Sequence, residues 1–395
     1  MKNKNDFPMK EKNIIYFDSA ATTMKPYRVI DKINEYYLDY TANSHRGDYD
    51  IAFKVDDEID YTRDLVKMFI NAKRKEEIIF TKNTTESLNQ IAFGFFMNYL
   101  KENDEIILSS SEHASNILPW LILSVKKNIK IVFVDSKNEK LDINDLKDKI
   151  TRRTKLISIA EITNVSGDKR NIKEICNLAH SHGILVVVDA AQSAPHIKID
   201  VQDSEVDFLA FSSHKMCGPT GVGVLYGKYE LLRKMIPYMF GGGMNENYNE
   251  DHLELEEIPY RFEAGTPDIA SIIGFSEAIK FINEIGITEI ERKEKYLRKY
   301  LIEELEKIPY IRIYNKYNEG STVIINIDGV LSGDLGLYLN TKGICVRSGK
   351  HCAKMGDNTE DTVRISLYFY NTYEEIDKLI EELKKKQEIL KFANF

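Results

Sequence analysis

The sequence has few cysteines, no surplus of positive charge and no long apolar run, and each shortage excludes a class of protein. Its 395 residues include four cysteines, which form no CxxC pair and no metal-like cluster. A disulfide scaffold and a zinc site are therefore not indicated, and we expect no bound metal. Any cysteine with a function acts as a thiol, and the four are Cys176, Cys217, Cys345 and Cys352.

The charge balance and the hydropathy pattern exclude two further classes. With a formal net charge of -8 and lysine mixed with glutamate, the chain has no basic stripe for nucleic acid. No stretch approaches the ~20 apolar residues of a membrane span, and no apolar run resembles a signal sequence. We expect a cytoplasmic protein whose partners are small molecules or other proteins.

Short apolar runs alternate with amphipathic stretches over residues 18–265. In one such stretch, apolar residues have the helical spacing i, i+3, i+4 and i+7, as Leu88, Ile91, Ala92 and Phe95. This alternation is typical of an α/β fold in which helices cover a mostly parallel sheet. We predict that residues 18–265 form one large domain.

The pattern changes towards the C-terminus. Two long Lys/Glu-rich segments, 277–305 and 373–390, are typical of helices, and the runs 322–327 and 363–367 are typical of strands. Together they predict a smaller α+β domain. We assign to it residues 1–17 and 266–395.

Lys215 stands in a sequence context typical of a buried, reactive amine. It follows an apolar run, 207–211, that predicts a short strand, and it precedes a glycine-rich turn at 218–223. A desolvated lysine loses its charge and becomes a nucleophile that can form a Schiff base. In an open α/β sheet, residues that follow strands line the binding crevice. The other polar residues in such positions are His113, Asn164 and Asp189.

A helix predicted to begin at Thr84 or Thr85 offers a phosphate site. Either threonine can cap the helix, and the unpaired N–H groups of its first turn can bind an anion. A cap alone is more often only structural. A phosphate site, a Schiff-base lysine and an aspartate after an apolar strand are together what pyridoxal 5'-phosphate (PLP) requires. Asp189 would keep the pyridine nitrogen protonated, and Gln192 would donate to the ring hydroxyl.

Three further residues carry chemistry in this setting. His113 titrates near neutral pH and has a flat ring, so it can stack on the cofactor and move protons. Glycine and small residues over 346–353 predict a mobile loop in which Arg347 can clamp a carboxylate. Basic neighbours favour the thiolate of Cys352. Without this context the histidine and the cysteine would more often be structural, and the arginine would form a surface ion pair.

Short motifs in a fixed order give the chain a family resemblance. They include Asp-Ser-Ala-Ala at 18–21, Val-Asp-Ala-Ala-Gln at 188–192, Ser-His-Lys at 213–215 and Arg-Ser-Gly-Lys-His-Cys-Ala at 347–353. With them the chain resembles the class V aminotransferase superfamily of fold-type I PLP enzymes, and most closely its SufS/CsdA-like cysteine desulfurases. The resemblance covers nearly the whole chain and implies a seven-stranded type of sheet.

The resemblance implies a role for each candidate residue. Lys215 would form the Schiff base, His113 would stack on the ring, and Asp189 would meet the pyridine nitrogen, with Gln192 at the ring hydroxyl. Asn164 is assigned to both cofactor and substrate. The phosphate would be held by Thr84, Thr85, Ser212 and His214, and that of a neighbouring subunit by Thr266. The substrate carboxylate would be received by Arg347 with Asn164, His45, Arg46 and Arg364.

The same resemblance implies a homodimeric cysteine desulfurase. Cys352 would take the sulfur of L-cysteine as a persulfide, with release of L-alanine, and pass it to an acceptor protein, as in iron-sulfur cluster assembly. Selenocysteine lyase, cysteine sulfinate desulfinase, aminotransferase and epimerase activities stay open on this fold. So does an inactive scaffold or sulfur-relay role, although the intact set of Lys215, Asp189 and His113 speaks against it.

Overall fold

The computed structural model describes residues 6–45, 47–137, 140–351 and 360–393. Its helices are α1 (Tyr27–Asp39), α2 (Asp50–Phe69), α3 (Thr84–Gln90), α4 (Met97–Tyr99), α5 (Leu118–Lys127), α6 (Ile143–Lys149), α7 (Ile172–Ser181), α8 (Val201–Ser204), α9 (Tyr229–Leu232), α10 (Ile269–Ile285), α11 (Ile287–Leu305), α12 (Ser332–Thr341), α13 (Tyr373–Leu383) and α14 (Lys386–Ala393). A π-helical segment, Ile91–Phe96, joins α3 to α4.

The strands are β1 (Ile15–Tyr16), β2 (Ile78–Thr81), β3 (Glu105–Ser109), β4 (Lys130–Val134), β5 (Ser136–Lys137), β6 (Lys140–Leu141), β7 (Thr154–Ala160), β8 (Leu185–Asp189), β9 (Phe208–Ser212), β10 (Gly223–Gly227), β11 (Asn245–Tyr248), β12 (Leu253–Leu255), β13 (Ile311–Ile313), β14 (Thr322–Ile327), β15 (Ile344–Cys345), β16 (Arg347–Gly349) and β17 (Thr362–Ser366). None of the helices in the described ranges is long and apolar enough to cross a membrane.

A seven-stranded sheet forms the centre of the fold, in the order β2-β10-β9-β8-β7-β3-β4. Strands β9, β8, β7, β3 and β4 run parallel to one another. Strand β10 is antiparallel to both of its neighbours, β2 and β9. The prediction of a mostly parallel, seven-stranded type of sheet is confirmed.

Both faces of this sheet are covered by helices. Neighbouring side chains along a strand point to opposite faces, so each strand contributes to two hydrophobic clusters. In β8, Val186 and Val188 belong to one hydrophobic cluster and Val187 belongs to another. Helices α2, α7 and α10 contribute to the first cluster. The helical stretch from α3 to α4, together with α5, contributes to the second. Burial on both faces is typical of strands in parallel sheets.

A second, antiparallel sheet of four strands has the order β13-β14-β17-β16. Its apolar side chains pack with those of α11, α12 and α13 in a third cluster. Strand β1, near the N-terminus, pairs in parallel with β15. This arrangement accords with a smaller α+β unit that includes the N-terminal segment, while the exact domain boundaries stay a prediction.

Three predicted segments differ from the observed elements. The helical pattern of 277–305 is split between α10 and α11 at Gly286, whose φ of 88° takes the backbone out of the helix. The pattern of 373–390 is split between α13 and α14. The loop predicted over 346–353 is wrong at Arg347–Gly349, because these residues form β16 and pair with β17.

Candidate active site

The carboxyl ends of β3, β7, β8 and β9 lie at one edge of the large sheet and carry the predicted reactive residues. Beyond this edge is a cavity of about 380 Å³. Because these strands are parallel, their polar continuations converge there although they are far apart in sequence. Eleven of the sequence-predicted site residues line it: Thr84, Thr85, His113, Asn164, Asp189, Gln192, Ser212, His214, Lys215, Arg347 and Arg364.

The start of α3 forms the part of the cavity predicted to hold phosphate. The Thr84 N–H donates to Ser212 Oγ at 2.8 Å, and the two hydroxyl oxygens lie 2.6 Å apart. Asn83 is the N-cap, since its Oδ1 accepts from the Glu86 N–H at 2.9 Å. The prediction that Thr84 or Thr85 caps the helix is therefore wrong. Both threonines nevertheless line the cavity.

A glycine of β10 supports this turn. A Cβ atom added to Gly223 would lie 2.6 Å from the Asn83 Cα. No side chain fits at that distance without moving the backbone that begins α3. The close approach of β10 therefore fixes the position of the predicted phosphate site.

Asp189 ends β8 with its carboxylate buried against the cavity. Its Oδ1 accepts from the Ala191 N–H at 2.9 Å. Burial raises the pKa of Asp189, while that hydrogen bond and the positive charge of Lys215 act in the opposite direction. Gln192 Nε2 donates to the Ala20 carbonyl at 2.8 Å, which fixes its amide near the N-terminal segment.

His113 presents a neutral imidazole to the cavity. Its Nδ1 accepts from the Ser115 N–H at 3.1 Å. Burial, with the nearby charges of Lys215 and Arg364, lowers the pKa of His113 to about 4. The ring is therefore uncharged at neutral pH and can accept a proton.

Two arginines line the other end of the cavity, and the carboxylate of Asp18 bridges them. Arg347 donates from Nε and Nη2 to the two carboxylate oxygens of Asp18, at 3.1 and 2.8 Å. Arg364 Nη2 donates to Asp18 Oδ1 at 3.2 Å, and its Nη1 donates to the Asn164 carbonyl at 3.0 Å. We did not assign Asp18 from the sequence, although it lies in the motif at 18–21.

His351 lines the cavity and was likewise not assigned from the sequence. Its carbonyl accepts from Asn164 Nδ2 at 2.8 Å, and its Nε2 lies 3.0 Å from Thr362 Oγ1. Burial, with the charges of Arg364 and Arg347, lowers the pKa of His351 to about 4. Its place directly before a candidate nucleophile was the available signal.

Two of the remaining predicted residues line a different cavity, and two are not described. Thr266 and His45 line a separate cavity of about 200 Å³ with Tyr260 and Glu263. Arg63 holds the Thr266 segment through Glu263, with guanidinium-to-carboxylate distances of 2.8 and 2.9 Å. Cys352 and Arg46 lie outside the described residues.

The chemistry of the lining fits PLP. The cavity contains a lysine amine, a buried carboxylate for a protonated ring nitrogen, and hydroxyl groups beside His214 for a phosphate. Asn164 Oδ1 is buried and has no hydrogen-bond partner among the described residues. A bound molecule with a polar group would satisfy it.

Comparisons with known proteins point to one family. The model of the family described as aminotransferase class-V matches residues 15–379. A probable cysteine desulfurase of Halalkalibacterium halodurans is 40% identical over 395 residues, which cover 98% of this chain and 97% of that protein. The solved apo structure of a cysteine desulfurase from Thermococcus onnurineus NA1 is similar with a TM-score of 0.92, at 38% identity and 96% coverage of both chains. The cysteine desulfurase CsdA of Escherichia coli, solved as an S-sulfonic acid, is similar with a TM-score of 0.92, at 33% identity, covering 98% of this chain and 97% of that one.

Proposed function

The chain belongs to the aminotransferase class-V family, and on this premise we propose that it is a PLP-dependent cysteine desulfurase. It would convert L-cysteine to L-alanine and take the sulfur on Cys352 as a persulfide. The observation that carries the proposal is the convergence of Lys215, Asp189 and His113 on one cavity. Its lining also includes Arg347, an arginine that can bind a carboxylate. The choice of substrate is supported by relatives that are named cysteine desulfurase or probable cysteine desulfurase and that match this chain over nearly their whole length.

The cavity residues have distinct tasks in this reaction. Bound PLP supplies an electron sink that weakens bonds at the substrate carbons. Asp189 would hold the ring nitrogen through a charge-assisted hydrogen bond, and Gln192 would orient the ring through its hydroxyl. The phosphate would be bound by Thr84, Thr85, Ser212 and His214.

Proton transfer is the task of Lys215 and His113. The lysine amine would attach the cofactor and, once released, move a proton at the substrate Cα. The imidazole of His113 is neutral at pH 7, because its pKa is held near 4, so it would stack on the ring without placing a positive charge there. It can also accept a proton from an incoming substrate.

Sulfur transfer needs a thiolate from the protein. The Cys352 sulfur would form a bond to the substrate sulfur while the substrate carbon–sulfur bond breaks, and a proton would then complete the methyl group of alanine. Enzyme thiol and cysteine thus become enzyme persulfide and alanine, with no external oxidant. An acceptor protein would remove the sulfur in a later step.

A homodimer accords with the position of Thr266. In its own chain this residue lines two cavities that do not include Lys215, and we propose that it reaches the phosphate of a second subunit. Residues Arg46 and His45 would approach the substrate in the same assembly. Sedimentation of the holoenzyme tests this part of the proposal.

The function is tested by incubating the yellow holoenzyme with L-cysteine and measuring alanine, sulfide and the persulfide by mass spectrometry. We expect alanine in the wild type, a persulfide on Cys352, and loss of both in Cys352→Ala. The matched control is Cys176→Ala, which removes a thiol from the core at α7 and should keep the activity.

Two outcomes would contradict the proposal. Cysteine turnover that survives Cys352→Ala would show that this thiol is not the sulfur acceptor. No alanine from L-cysteine would shift the assignment to selenocysteine, cysteine sulfinate or an amino-acid/keto-acid pair, which the same holoenzyme can be offered in turn.

A further inference from the structure

The N-terminal strand places an acid between two arginines of the smaller sheet. The Phe17 N–H donates to the Cys345 carbonyl at 2.9 Å, and the Phe17 carbonyl accepts from the Ser366 N–H at 2.7 Å. The chain at residue 17 is thus bonded to the ends of both β15 and β17. The next residue, Asp18, forms ion pairs with Arg347 and Arg364. Arg347 lies shortly after β15, and Arg364 lies within β17.

The two arginines face each other across paired strands. Arg347 of β16 and Arg364 of β17 are direct partners in the antiparallel register. Like charges in such positions repel, because their side chains emerge close together. Asp18 relieves this repulsion, since its carboxylate bridges both guanidinium groups at 2.8 to 3.2 Å.

Burial makes the bridge effective. The side-chain exposure is 15% for Asp18 and 3% for Arg364, whereas Arg347 is 46% exposed. Charges in this partly dry environment are screened less than surface charges. The three groups together carry one net positive charge, which a single substrate carboxylate neutralises.

We propose that Asp18 is a specificity-determining residue that sets the charge of the substrate. Its carboxylate neutralises one of the two positive charges of Arg347 and Arg364, and it thereby favours amino acids with a single negative charge over dianions. The inference rests on the proposed function, because L-cysteine has one carboxylate and a neutral thiol, whereas cysteine sulfinate carries a second anionic group.

Asp18→Asn tests the proposal because it keeps the shape and removes the charge. We expect the holoenzyme variant to bind succinate, a dianion, more tightly relative to propionate, with the affinity ratio raised about tenfold or more. Both ligands are non-reacting, and their dissociation constants are read from the change in cofactor absorbance. The matched control is Asp203→Asn, which removes the same charge from an exposed ion pair with Lys173 and should leave the ratio unchanged.

A second variant changes the charge in the opposite direction. Arg347→Gln leaves Asp18 opposite one arginine, so the succinate-to-propionate ratio should fall below that of the wild type. The double variant with Asp18→Asn restores one net positive charge and should return the ratio to within about threefold of the wild-type value. This cycle depends on charge and not on the loss of one particular contact.

The kinetics of the holoenzyme provide a second measurement of the effect of Asp18→Asn. In Asp18→Asn the ratio of kcat/KM for cysteine sulfinate to that for L-cysteine should rise in parallel with the binding ratio. An unchanged binding ratio in Asp18→Asn, or a fall in it, would overturn the inference. Because the binding ratio is measured without turnover, that result is distinct from a failure of the desulfurase assignment.

Discussion

Replacing Arg170 by methionine would remove the cation at the centre of a buried polar cluster behind the cavity. Arg170 is 2% exposed, and its Nε donates to Asp168 at 3.0 Å. It also pairs through Nη1 with Glu112, which is 0% exposed. Its other partners are Ala160 O at 3.0 Å, Ser109 Oγ at 3.1 Å and Ser111 Oγ at 2.7 Å.

The magnitude follows from what the substitution leaves behind. Two buried carboxylates lose their cation, and breaking a buried ion pair from one side costs about 3–5 kcal/mol. Glu112 keeps its hydrogen bonds from the Asn116 side chain and the Ala160 N–H, both at 2.8 Å, so the lower half of this range is expected. Urea unfolding of the holoenzyme at pH 7.5 measures the loss, and Arg292→Met, at an exposed pair with Glu289, is the control with little change.

The pH dependence separates this explanation from a simple packing defect. Burial already raises the pKa of Glu112 in the wild type, and removal of Arg170 would raise it further. A carboxyl whose pKa is higher in the folded than in the unfolded state stabilises the fold as pH falls. The deficit of the variant should therefore shrink between pH 7.5 and 5.5. A deficit below about 1 kcal/mol at pH 7.5, or one that does not change with pH, would refute the reasoning.

Two further predictions follow from the cavity. Gly223→Ala places a methyl group against the backbone of Asn83, so it should destabilise the fold by about 1–3 kcal/mol and weaken PLP binding in a titration. The control Gly333→Ala, whose added methyl group meets no atom of the described residues within 4 Å, should do neither. An unchanged PLP affinity in Gly223→Ala would contradict this prediction. The cofactor-free protein should lose stability as pH falls from 6.5 towards 4. The pKa values of His113, His214 and His351 are held near 4 in the folded chain, so the unfolded chain binds more protons in this range. Each of these histidines should lower the free energy of unfolding by up to about 1.4 kcal/mol for each pH unit. Melting temperatures across this range should decline less steeply in His113→Gln, and an equal slope would count against the assignment.

The sequence predicted the parts of the site that depend on local patterns. Lys215 and Asp189 could be placed because an apolar run followed by a polar residue is a strand end, and parallel strand ends meet. The N-cap was misassigned because three consecutive residues, Asn83 to Thr85, are all good caps, and only the bond to the Glu86 N–H decides between them. The helix break at Gly286 was missed because the polar pattern continues across it.

The residues that escaped prediction owe their position to contacts that are distant in sequence. Asp18 lies 346 residues from Arg364, with which it forms an ion pair, and no periodicity reports such a distance. Pairing of β16 with β17 likewise depends on tertiary contacts that override a glycine-containing, loop-like sequence.

The groups assigned to the cofactor and those assigned to the substrate carboxylate differ in how far their surroundings constrain mutation. Most of the groups assigned to the cofactor follow strands of the large, mostly parallel sheet. These strands are buried on both faces, which constrains each substitution. Among the groups assigned to the substrate carboxylate, Arg347 and Arg364 come from β16 and β17, and Asp18, which bridges them, follows β1. The side chain of Arg347 is nearly half exposed. A change in the charge of Asp18 or Arg347 would therefore alter which anion is accepted while the cofactor site keeps its geometry. We therefore expect substrate charge preference and PLP binding to respond to different mutations.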